Sequence, residues 1–165
     1  EIILDHGHND VAYVTYAPEL TRAIPLSSFE VSFEKIEQGV PLEVPGYPVT
    51  QSLNRTKIVA MSCAATGFHG FFQPTQNDFG YDGPLFDTTC LAWDGQSGSP
   101  VFKLRSRDRI VERVLIGVLS HTFDVRANGS IDQSRVVRDA FGPALRMNFS
   151  PLSETVDLKP LLSSQ

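Results

Sequence analysis

Cysteine is nearly absent from this sequence. The chain of 165 residues has only Cys63 and Cys90, which allows one disulfide at most and leaves no Cys-x-x-Cys pair. No His/Cys/Asp cluster has zinc-ligand spacing either, so neither a metal centre nor any cofactor is expected. Long apolar runs are also missing, and none approaches the length of a membrane span. Positive charge is short: 14 Lys and Arg stand against 19 Asp and Glu, for a net charge of −5. The densest basic stretch, residues 103–109, contains an acid and reads as a charged hairpin loop. Nucleic acid is therefore not an expected partner.

What remains is an ordinary globular composition, 41% hydrophobic and 20% charged, long enough for one respectable core. Residues 109–120, rich in Val, Ile and Leu, form the most strand-like segment. Strands are also expected at 10–16, 57–62 and 101–104, with a loop-like stretch at 70–87, residues 86–93 leading on from it, and an Asn128-Gly129 turn. Residues 17–50 hold five prolines and no sustained periodicity, apart from an alternating stretch at 29–33. Helices are expected at 132–141, closed by Gly142, and at 150–162, capped near Ser150 or Ser153. Many short strands separated by turns favour an all-β, antiparallel barrel. Three glycosylation sequons, at Asn54, Asn128 and Asn148, tilt the expected location towards the secretory route.

One segment carries chemistry. Gly95-Gln96-Ser97-Gly98-Ser99-Pro100 sets a serine between two glycines, directly before the apolar Val101-Phe102. Glycines permit a tight turn that a Cβ would forbid. Such a turn can aim backbone N–H groups at a point beside the hydroxyl, as an oxyanion requires. The other serine-hydrolase signature, Gly-x-Ser-x-Gly, fails because position 99 is Ser. The plain alternative is a Gly/Ser/Pro surface turn.

The segment closely resembles the nucleophile loop of chymotrypsin-like serine proteases, in the variants with serine for the last glycine of Gly-x-Ser-Gly-Gly-Pro. Asp10, opening Val11-Ala12-Tyr13-Val14, resembles that family's acid-bearing strand and lies 87 residues before Ser97, close to the family interval of roughly 90. The resemblance implies the second barrel of a two-barrel fold with a C-terminal helix. It divides the chain into the end of the first barrel (1–16), a connection (17–50) and the C-terminal barrel (51–165). Cys63 to Phe68 and Gly142 to Met147 resemble other segments of that barrel.

By the same resemblance Ser97 is the nucleophile, Asp10 orients the base, and the N–H groups of Gly95 and Ser97 form the oxyanion hole. Leu91 forms the base of the specificity pocket, with Ala92 beside it. Ser120, His121 and Thr122 bind extended substrate by strand addition, and Leu91 with Thr122 implies small or medium apolar residues at the cleavage site. Leu91 and Leu119 fit core positions equally well. Gln96 replaces an aspartate that digestive relatives pair with a freed N-terminus.

The family histidine belongs roughly 45 residues before the aspartate. His6 and His8 stand too close to Asp10, and His69 and His121 fall in segments with other roles. The expectation is a C-terminal part of a longer polypeptide, nearly inert alone. The missing N-terminal barrel would bring the histidine, in cis or as a second chain. The implied activity is endopeptidase cleavage of a polypeptide substrate. The alternatives are a non-catalytic homologue acting as a binding module, a viral polyprotein protease module, and an unrelated all-β protein.

Overall fold

The computed structural model describes residues 2–4, 11–14, 29–47, 58–71, 84–93, 95–122, 136–139 and 142–154. Its strands are β1 (Ile2–Leu4), β2 (Ala12–Val14), β3 (Glu30–Val31), β4 (Pro41–Gly46) and β5 (Val59–Phe71). There follow β6 (Pro84–Ala92), β7 (Pro100–Arg107), β8 (Ile110–Thr122), β9 (Val137–Asp139) and β10 (Gly142–Pro151). β1 and β2 make a separate antiparallel pair. The other strands join in the order β3-β8-β7-β4-β5-β6-β10-β9, and a further β8–β10 pairing closes the sheet. The result is a six-stranded antiparallel barrel of β4, β5, β6, β10, β8 and β7. The expected all-β barrel is therefore present.

Closure follows from the length and pattern of β8. β7 covers one edge as far as Val118. β10 takes the other edge from Gly117 to Thr122, and β3 lies parallel along that edge at Val114 and Leu115. Inside, Leu42, Val44, Met61, Ala65, Phe86, Ile116, Leu119 and Phe149 form one continuous apolar core. Register shifts interrupt β5–β6, β6–β10, β7–β8 and β8–β10. Such bulges bend strands and increase local twist, which a small closed barrel needs. The β7–β8 hairpin turns through Asp108 and Arg109, both left-handed at φ 49° and 69°, as a two-residue hairpin requires. The charged 103–109 stretch is that hairpin, with residues up to Arg107 in β7.

Cys63 and Cys90 form a disulfide across neighbouring strands β5 and β6, with Cα atoms 5.0 Å apart. Outside the barrel, Arg105 bridges Glu30 and Glu112, and Arg113 reaches over β7 to Glu43. Hydrogen bonds to these carboxylates raise both guanidinium pKa values. The pairs are largely exposed and add little stability; of them, only the Arg105–Glu30 pair ties β3 to the barrel wall.

Three details differ from the sequence reading. The barrel draws β4 from within the 17–50 stretch assigned to the connection. Its Pro45 pairs only towards β5, because β7 pairs with β4 only at Leu42 and Glu43; a missing N–H is tolerated there. Second, residues 137–139 of the expected 132–141 helix form β9, whose Val137 pairs with Ala144 of β10. Third, Ser150 and Pro151 belong to β10, followed by a single 3-10 turn, Leu152–Glu154. The C-terminal helix thus cannot begin at Ser150, and its expected remainder lies outside the described residues. So do the Asn128-Gly129 turn and the first two sequons. The third, Asn148, is 1% exposed and donates to Asp87, which closes it to a glycan in the folded protein.

Phe149 is fully buried and stacks on Phe86 at 5.6 Å. Its truncation to Ala is expected to cost about 3–5 kcal/mol, read from chemical denaturation midpoints. A loss below about 1 kcal/mol would contradict its place at the centre of the core.

Candidate active site

The segment linking β6 to β7 is short and tightly held. Gly95 and Gly98 both adopt left-handed φ, 89° and 84°, so the two glycines of the motif occur where the backbone requires them. Between them the chain alternates sharply in exposure. Gln96 is fully buried and Ser99 nearly so, whereas Gly95, Ser97 and Gly98 face solvent. The turn therefore sinks its glutamine and lifts its serine.

Backbone hydrogen bonds explain how. The N–H of Gly98 donates to Leu119 O at 2.8 Å, and the N–H of Leu119 donates back to Ser99 O at 2.8 Å. The N–H of Ser99 closes a turn on Gln96 O, and that of Gln96 points at Trp93 O. Among the described residues, none accepts from the N–H of Gly95 or Ser97. These are the two donors expected to form an oxyanion hole, flanking an exposed hydroxyl.

Gln96 fastens the turn from below. Its Oε1 accepts from the N–H of Trp93 at 2.9 Å, while its Nε2 has no partner among the described residues. Gly46, at the end of β4, makes room for this arrangement. A Cβ there would collide with Ser99 Oγ and come within 3.0 Å of Gln96 Nε2. β4, β8 and the glutamine thus hold the loop from three directions. The sequence reading compared Gln96 only with an aspartate switch and missed this anchoring role. A neutral side chain beside an adjacent glycine gives no periodic signal of burial.

The other expected residues fall as follows. Ser120 is buried on β8, one residue beyond the Leu119 clamp. His121 and Thr122 continue β8 and Thr122 pairs with Met147, but their side chains lie outside the described set. Beyond Val118, no described strand pairs with β8 on the side where β7 has ended. Ala92 is buried in the barrel core and half-buried Leu91 packs against it. Asp10, His6 and His8 lie outside the described residues, as does the His69 side chain. The residue after Asp10, Val11, is buried in a smaller cluster with Leu152, against Val31, Phe33, Leu115 and Val118. That cluster seats the start of β2 against β8, within two residues of Ser120. The described residues contain no group of three potential metal ligands.

Compared with known proteins, the chain matches no family model and no curated protein.

The anchoring role of Gln96 makes a stability prediction. Gln96→Ala removes the side-chain acceptor of the buried Trp93 N–H, at an expected cost of roughly 1–3 kcal/mol, measured by urea denaturation. Unchanged stability would show that the loop holds its shape without the glutamine.

Proposed function

We propose that this chain is the Ser97-bearing barrel of a serine endopeptidase. One observation carries the reading: an exposed serine stands between two N–H groups without described acceptors, on a turn clamped on every other side. Oxyanion stabilisation needs donors fixed before charge develops, and a single such donor is worth about 10²–10³ in turnover. The closed antiparallel barrel agrees with the resemblance to chymotrypsin-like proteases, which also supplies the rest of the assignment.

In this reading Ser97 Oγ attacks the scissile carbonyl and passes its proton to a histidine. The histidine belongs to the barrel that the resemblance places ahead of Asp10, in cis or as a second chain. Asp10 holds the imidazole in its working tautomer. The carbonyl oxygen gains charge towards the N–H groups of Gly95 and Ser97. The histidine then passes that proton to the leaving nitrogen as the C–N bond breaks, releasing the amine and giving an acyl-enzyme that water hydrolyses. An extended polypeptide adds as a strand beside residues 120–122, where β7 has left the edge of β8.

Leu91 and Ala92 contribute an apolar specificity pocket in this account, and their packing towards the core is equally compatible with a structural role. Gln96 carries no charge and is already bonded to Trp93, so loop ordering here does not depend on a freed N-terminus. The Cys63–Cys90 disulfide supports a location outside the reducing cytoplasm.

A binding module in which the loop performs no chemistry is the second reading. A fluorophosphonate probe separates the two, applied to this chain and to its full-length product, with Ser97→Ala as control. Labelling of Ser97 in the full-length form, abolished in the variant, is expected. Absence of labelling in both folded proteins would overturn the peptidase reading.

A further inference from the structure

The loop bearing Ser97 runs over the start of β7, and β7 lies between β8 and β4 in the barrel order. One flank of the loop is therefore the clamp on Leu119, and the opposite flank is Gly46 at the end of β4. Beside that second flank is a surface pocket of 410 Å³ lined by Ser97 and Ser99 together with Pro45, Tyr47, Ile58 and Pro100. None of its described lining residues is charged. Tyr47 and Ile58 stand one step beyond the Gly46–Val59 pair, which sets them opposite one another at the open end of β4 and β5. They are 52% and 58% exposed, two of the five large apolar side chains among the described residues that face solvent. A scattered exposed apolar residue needs no explanation. Two facing each other on a pocket that reaches the candidate nucleophile do.

We infer that this pocket receives the leaving-group half of the substrate and selects an apolar side chain there. The inference rests on the peptidase reading and names a substrate feature of the same site. A polypeptide laid along the β8 edge beyond Val118 reaches Ser97 with its acyl half. Its continuing half must then pass the other flank of the loop, towards Gly46 and Tyr47. The pocket offers that half a tyrosine ring, an isoleucine and two prolines, and among its described lining residues no partner for a charged side chain. Burying an apolar group against them is favoured in proportion to the area removed from water. An acidic or basic residue would lose solvation with nothing to replace it.

The test needs no catalysis. Leucyl-leucinamide and glycyl-glycinamide, mimics of the freed leaving half, are titrated into the Ser97→Ala chain and followed by backbone amide NMR shifts. Saturable shifts at Tyr47, Ile58 and Gly95–Gly98 are expected with the leucyl probe, and about tenfold weaker binding of the glycyl probe, the lower range for an apolar side chain in a pocket. Tyr47→Ser and, separately, Ile58→Ser should each weaken the leucyl probe while leaving resonances of the barrel core in place. Equal affinity for the two probes, absence of shifts around Tyr47, or indifference to both substitutions would overturn the inference. Leucyl binding without fluorophosphonate labelling would instead sink the hydrolase assignment and leave a pocket for apolar peptide termini.

Discussion

Two reciprocal backbone hydrogen bonds, from Gly98 to Leu119 and from Leu119 to Ser99, hold the candidate site to the barrel. They extend the β7–β8 ladder by one step past its last strand pair, at Pro100 and Val118. That step turns a loop into part of the sheet. A free glycine-rich turn would sample many conformations, and an oxyanion site gains only from donors already in place. With Gly98 and Ser99 committed to β8 and Gln96 committed to Trp93, little freedom remains for the residues between them. Among the described residues, none accepts from the N–H groups of Gly95 and Ser97.

The barrel makes this possible because β8 serves several partners along its length. Its early part pairs with β7 and β3, and its later part pairs with β10 on one edge only. The edge vacated by β7 is where the loop attaches and where an extended chain has room to add. The second hydrophobic cluster brings the residue after Asp10 to the same stretch of β8. A strand that first builds the core and then, beyond Leu119, has no described strand on its β7 side links folding to the proposed chemistry. On the far side of the loop, Gly46 lets β4 approach closely enough to shape the pocket under Tyr47 and Ile58.

The loop itself was legible in the sequence because its requirements are local. A serine between glycines ahead of an apolar strand announces a tight turn, and both glycines take left-handed φ. The strands richest in branched residues, such as β8, were legible for similar reasons. β4 was hidden by Pro41 and Pro45, whose tolerance depends on which neighbour covers which part of the strand. The segment 137–139 pairs with β10 although its surroundings suggested a capped helix, since pairing to a distant strand leaves no local mark. The roles of Gln96 and Gly46 depend on each other across the fold and could not be read from either alone. The assignment of Asp10 and of the histidine rests on resemblance, and so stands as a proposal.

Backbone hydrogen exchange followed by NMR tests the clamp most directly. The account predicts slow exchange at Gly98, Ser99 and Leu119, comparable to the neighbouring strands, with fast exchange at Gly95 and Ser97. Slow exchange at Gly95 and Ser97 would mean that their N–H groups are already spent on other acceptors. Fast exchange at Gly98 and Leu119 would mean that the loop is not held. Either result would contradict a preformed oxyanion site.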